Sequence, residues 1–211
     1  MQLMRYACAA VVASVAVAAL ACGSDSTSSK QVLDSVSVEP RDAVLTVGTL
    51  WPHMHSTARD RAGVEIKTTG QWSSSNESVA TVGIAAGAIA GIAVGTAIAR
   101  NTVTYNGVTE TGESSITVVA PTDTATVTAT VSAAFKPQLR SVNRSGSAAT
   151  VTWNFAAESH TVTWDSEPPG ASVADISATS STSVSREFTV AGTYEYHCSI
   201  HAGMTGSLLV Q

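Results

Sequence analysis

The chain is poor in charge and in rings: of 211 residues, 13% are charged and 5% aromatic. Eleven Lys and Arg stand against 16 Asp and Glu, a formal net charge of −5. That balance leaves no basic stripe, so the electrostatic footprint of a nucleic-acid binder is absent. Cysteine is scarce, with three residues at 8, 22 and 198. A C-x-x-C-H run is missing, which excludes covalent haem attachment. The sequence also lacks a nucleophile elbow, a phosphate loop and a supported pair of carboxylates. Its apolar runs are too short for a comfortable membrane span.

What is present is Thr, Ser, Val, Ala and Gly, a composition that suits β-structure. The first residues read as an address. Arg5 makes a thin positive region, and Ala7 to Leu20 is apolar apart from Ser14. Residues 1–21 are therefore expected to be a secretory signal. Ala-Leu-Ala-Cys-Gly at 19–23 resembles a bacterial lipoprotein cleavage box, although the Leu lies one position nearer the Cys than usual. The resemblance implies lipidation of Cys22; ordinary cleavage after Ala21 would leave that thiol free. Residues 22–32 then form the lipidated Cys and a polar tether, GSDSTSSK, of flexible-linker composition. The expected location is outside the cytoplasm, periplasmic or on the cell surface, lipid-anchored to a membrane. Gly23, rather than Asp, after the Cys favours the outer membrane. Cys8 leaves with the signal and Cys22 is blocked, so Cys198 remains alone in an oxidising compartment. Exported proteins usually pair their cysteines, and metal ligation is the best explanation for one that is single.

From 33 to 119 the chain alternates as strands do, in DSVSVEP, DAVLTVG, SVATV and SSITVV, with turn signals such as Asn106-Gly107 between runs. Short strands at this spacing predict an antiparallel sandwich. The segment resembles the bacterial immunoglobulin-like domain, group 2. The residues that carry the likeness are Val47-Gly48-Thr49, Ala58-Arg59-Asp60 with Gly63, Trp72 to Asn76, Ser78 to Val82, and Gly87, Gly91 and Gly95-Thr96-Ala97. That family implies a spacer or adhesive module without chemistry. Two features compete with this reading. Ile84 to Ala99 carries glycines every fourth position, the pattern of a membrane helix pair. Repeated Gly disfavours a helix in water, and turn positions account for the glycines better. His53 and His55 would share one strand face about 6.6 Å apart, with Met54 pointing inward. A solvated pair is the simpler account of them than a weak Cu or Zn site.

Residues 120–123 read as a linker, and strand patterns resume over 124–211, enough for one compact sandwich. Near its end Cys198, His201 and Met204 stand within seven residues, spaced C-x-x-H-x-x-M. A thiolate, an imidazole and a thioether are a ligand kit for copper. A trigonal His2Cys site with a weak axial Met is the geometry of a blue electron-transfer site. The second His must come from elsewhere, and His160 in ESHTVTW is the candidate. Tyr194, Tyr196 and Cys198 alternate onto one strand face, which sends His197 the other way. Zinc accepts Cys and His, but its structural sites rarely recruit Met. A binuclear copper centre needs two bridging cysteines, and the mature domain has one.

The whole of 124–211 resembles the cupredoxins, small blue copper proteins. Phe135-x-Pro137, Gly146, Val151 to Asn154, His160 to Val162, Phe188, Gly192 to Tyr194 and Tyr196 to Gly206 fall in family order. The ligand loop looks most like the short one of amicyanin, with Ala202-Gly203 where that loop carries a Pro. The resemblance implies one copper ion held by His160, Cys198, His201 and axial Met204, with His201 as the electron port. The fold class expected is all-β: two sandwiches in tandem, immunoglobulin-like and then a cupredoxin Greek key, after a signal peptide. The expected function is one-electron transfer to a protein redox partner in the cell envelope, not enzymatic catalysis. Two alternatives stand beside it: a periplasmic copper carrier or buffer, and a structural or adhesive surface protein with a vestigial copper site.

Overall fold

Strict alternation of buried and exposed positions sets the architecture. In Thr124–Thr130, for example, Ala125, Val127 and Ala129 are buried while the threonines between them face outward. Such a segment covers one face of a core and leaves a hydroxyl row on the other. A computed structural model describes residues 31–83 and 87–211. The expected signal at 1–21, Cys22 and the tether up to residue 30 lie outside the described residues.

Among the described residues there are nineteen strands and no helix. The first half contains β1 (Leu33–Glu39), β2 (Asp42–Thr46), β3 (Leu50–Trp51), β4 (His55–Asp60), β5 (Glu65–Ile66), β6 (Gln71–Ser74), β7 (Ala80–Val82), β8 (Ile89–Gly91), β9 (Gly95–Tyr105) and β10 (Val108–Val119). The second half contains β11 (Thr124–Thr130), β12 (Ala134–Lys136), β13 (Leu139–Val142), β14 (Ala149–Phe155), β15 (His160–Ser166), β16 (Ile176–Thr179), β17 (Ser183–Phe188), β18 (Gly192–His197) and β19 (Thr205–Val210). The protein is all-β, built as sandwiches in tandem. In the second half, the sheet β12-β11-β14-β17 packs on β16-β15-β18-β19-β13 around a core centred on Trp153, Phe188, Tyr194 and Tyr196.

The glycine-rich run after residue 86 is strand and turn, not helix. Gly87 has a φ of +65°, a left-handed turn conformation, and β8 and β9 follow it. A Cβ on Gly87 would stand 2.8 Å from the Trp72 ring, so the close approach also demands glycine.

The two halves share a sheet. Strand β13 pairs in parallel with β19 on one side and with β2 on the other, as Leu139↔Ala43 and Arg140↔Val44. The result is a nine-stranded sheet, β16-β15-β18-β19-β13-β2-β10-β9-β6, running through both. Leu139 is fully buried in the core cluster of the first half. Beside it, the Thr46 N–H donates to Ser141 Oγ at 2.7 Å, and Thr49 Oγ1 lies 2.9 Å from the same oxygen. Thr49 also donates to Gln211 Oε1 at 2.8 Å. These buried hydroxyls satisfy one another, as buried polar groups must.

Candidate metal centre

Two strand ends and one loop build the site. Strand β18 turns Tyr194 and Tyr196 onto the core face, Cys198 just past its end continues the alternation, and all three are buried. His197 points away and its Nδ1 lies 2.7 Å from Asp165 Oδ1 at the surface. Strand β15 begins at His160, which is fully buried. The chain leaves β18 at Cys198, turns through Gly203 at φ +77°, and re-enters the sheet as β19. Gly203 supplies a conformation that residues with a Cβ rarely adopt. Met204, buried, closes the turn.

The loop is pinned by its own backbone. The Cys198 N–H donates to Met204 O at 2.9 Å, and the Met204 N–H to His201 O at 3.2 Å. A second clamp joins the two ligand strands: the Ser199 N–H donates to Thr161 Oγ1 at 2.8 Å, and the two side-chain hydroxyls lie 3.0 Å apart. Behind the loop, Tyr196 packs edge-on against Phe135, Trp153 and Trp164 at centroid distances of 4.9, 5.7 and 5.4 Å. Gly206 lies against this ring so closely that a Cβ there would stand 2.4 Å from Tyr196 Cζ.

Ligand atoms converge at the pole. Cys198 Sγ lies 3.5 Å from His201 Nδ1 and 4.0 Å from His160 Nδ1. The ligand atoms of the three residues all lie within 4.8 Å of one another. The imidazole rings stand 4.7 Å apart, tilted by 47°. Among the described residues this is the only group of three such metal-ligating side chains. His53 and His55 are exposed with rings 6.1 Å apart, and they gather no third ligand of that kind.

Electrostatics favour a thiolate. Burial pushes the Cys198 thiol up, but N–H groups of Thr161, Ile200 and His201 and the His201 side chain pull it down to about 6. One of these contacts, Thr161 N–H to Sγ, is 3.4 Å long. A thiolate, two imidazoles and a nearby thioether are soft and borderline donors, the set that suits copper. The residues present therefore fit one copper ion. His160 turns its Nδ1 edge to the site, 4.0 Å from Cys198 Sγ, and its Nε2 is buried without a hydrogen-bond partner. Thr161 and Ser199 were not singled out from sequence, where they look like ordinary strand and loop residues.

Residues 121–211 match the family of copper binding proteins described as the plastocyanin/azurin family. No curated protein sequence matches the chain. Among solved structures, the reduced Cu(I) form at pH 4 of an amicyanin variant is 27% identical, covering 42% of this chain and 82% of its own, with a TM-score of 0.36. A Cu(I) amicyanin methionine variant is 28% identical over 44% of this chain and 86% of its own, with a TM-score of 0.36. An oxidised amicyanin proline variant is 25% identical over 42% and 83%, with a TM-score of 0.35.

Proposed function

Starting from a C-terminal blue copper domain of the plastocyanin/azurin family, we propose that this protein is a one-electron carrier of the cell envelope and not an enzyme. The observation that carries the reading is the closed donor set. The donor atoms of His160, Cys198 and His201 lie within 4.8 Å of one another. Met204 is tied into the same loop by its backbone bonds to Cys198 and His201 and is the fourth donor of the proposal. Cys198, Met204 and His160 are buried. Four protein donors leave no position for a substrate or an activated water, which a catalytic metal needs. Bound copper supplies a Cu(I)/Cu(II) couple. The protein's part is to hold the donors still. The Cys198–Met204 and Ser199–Thr161 bonds resist rearrangement of the loop between the two charge states. His201 is half-buried, and Ala202 and Gly203 beside it are small and exposed, so its outer edge is the port to a protein partner.

Copper(II) added to the purified protein is expected to raise an intense thiolate-to-copper charge-transfer band, absent in Cys198→Ser. A colourless wild type would refute the site. A reversible voltammetric couple with copper retained against chelators separates electron transfer from copper buffering. Ready loss of the metal without a reversible couple would favour the buffer.

The location belongs to the same proposal. The apolar run at 7–20, Ala21 before Cys22 and the polar stretch that follows support export and a lipid anchor on Cys22, with the outer membrane preferred. The first half then serves as a module between the tether and the copper domain. Cys22→Ser is expected to move the protein from the membrane fraction to the soluble one; unchanged partition would refute the anchor.

A further inference from the structure

Arg140 is the charged residue that the fold explains least. It lies in β13, where Leu139 and Ser141 face the first half and Val142 lies in the core of the second. Arg140 is 9% exposed. Its Nε is buried without a hydrogen-bond partner, and none of the ion pairs among the described residues involves it. Burial lowers its pKa, and no neighbouring charge acts in the other direction. A guanidinium stays protonated under such pressure. A buried charge without a partner is costly, and native proteins pair such groups or use them.

Arg140 borders an open groove of about 350 Å³ at the seam of the two halves, lined also by Val44, Ala125, Pro137 and four threonines. The threonines come from the outward faces of two paired strands, in the register Thr124↔Thr150 and Thr126↔Thr152. Thr124 is engaged by Thr122 at 3.2 Å, and Thr152 by Ser185 at 2.8 Å. Thr126 and Thr150 remain, on a diagonal of the array, as hydroxyls without a hydrogen bond to another described side chain. A cation with several N–H donors and two uncommitted hydroxyls therefore line one open groove, with Thr126 exposed and Thr150 half-buried, and no acidic residue lines it.

We propose that this groove is a binding site for a tetrahedral oxyanion, a phosphate group, held by Arg140 and the hydroxyls of Thr126 and Thr150. A guanidinium fork matches phosphate oxygens, and charge-assisted hydrogen bonds are the strong ones. Hydroxyls approaching from the sheet face supply donors to the remaining oxygens. The phosphate arrives either free or as the monoester of a small polyol. The site is separate from the copper ligands, and its occupant ties β13 to the sheet β12-β11-β14-β17.

The test is calorimetric titration of the full protein with inorganic phosphate and, separately, with glycerol phosphate, at constant ionic strength set by chloride. The expected result is saturable binding with one site per chain. Arg140→Gln should weaken it about ten-fold or more, since it removes the charge from each hydrogen bond. The visible copper band, unchanged, shows that the variant is folded. Should Arg140→Gln fail to fold, Thr126→Val with Thr150→Val keeps the cation and is expected to weaken binding several-fold. Tighter binding of glycerol phosphate than of phosphate identifies the monoester as the source; the reverse identifies the free ion. Phosphate that binds without saturation, or equally well to wild type and to the folded variants, overturns the proposal.

Discussion

Replacing Thr161 by Val should loosen the copper loop without touching a ligand. The side chain keeps its shape and its β-branch, so strand β15 and its packing are preserved. What goes is the hydroxyl, which accepts the Ser199 N–H at 2.8 Å and contacts Ser199 Oγ at 3.0 Å. A net intramolecular hydrogen bond is worth about 0.5–1.5 kcal/mol, and stranding a donor adds to that. Ser199 is exposed, so its own hydroxyl returns to water and the loss concentrates on the N–H. The sum is about 1–2 kcal/mol, or a fall in melting temperature of about 2–8 °C for a chain of this size. The backbone N–H of Thr161 still reaches Cys198 Sγ, so the charge-transfer band should keep its position. Thermal melts of the apo and copper-loaded forms, with Thr161→Ser as the control that retains the hydroxyl, measure the effect. A loss below about 0.5 kcal/mol in both forms, the range of ordinary surface changes, would refute the clamp. So would an equal loss in the Ser control.

Two further outcomes follow from the same site. Gly206→Ala places a methyl 2.4 Å from Tyr196 Cζ, so the ring must move; overpacking of this kind costs about 1–3 kcal/mol, and urea denaturation that matches wild type would refute the close packing. In the apoprotein, Cys198 should titrate near 6, well below its ordinary value of 9.0, as read by ultraviolet thiolate absorbance. A depressed acid stabilises the fold above its unfolded pKa and loses that contribution as pH falls through the folded one. Apoprotein stability from this thiol should therefore be full above about 9 and decline toward about 6; a titration midpoint near the ordinary value would refute the thiolate.

The ligand loop was legible because its information is local. Cys198, His201 and Met204 sit within seven residues, and the alternation of Tyr194, Tyr196 and Cys198 fixes which way the thiol points. His160 was legible through resemblance, as one histidine in the right place in the order of strands. The Thr161–Ser199 clamp was not, because its partners lie 38 positions apart and threonine is common in every strand here. Strand β13 gave no signal of its role either. Its four residues, Leu-Arg-Ser-Val, are all buried because both faces are covered, so the alternation that marks other strands is erased. Its pairing with β2 joins residues 96 apart, as in the Gln138 N–H to Asp42 Oδ1 bond, and parallel pairing leaves no turn to announce it.

That pairing changes what the first half does for the copper site. A spacer on a flexible linker would leave the copper pole open on every side. Here Ser207 is level with Leu139, Leu139 with Ala43, and Ala43 with Ile116, through three parallel ladders. The start of β19, where the ligand loop ends, is thus beside the middle of β10, not its end. Strand β10 begins at Val108, eight residues before Ile116, so its hairpin with β9 runs on about 20 Å past the level of the loop. On the Met204 side a groove of about 620 Å³ is lined by Gly203 and Met204 from the loop and by Arg41, Asp42 and Ser115 from the first half. A partner that docks at His201, as proposed, meets the first half as one wall of its approach. The wall is held through the shared sheet, Leu139 and the Thr46–Thr49–Ser141–Gln211 hydroxyl cluster, all remote from the metal. Under that proposal, charge reversal at Arg41 or Asp42 is expected to change the choice of redox partner as much as changes in the small, uncharged residues of the ligand loop.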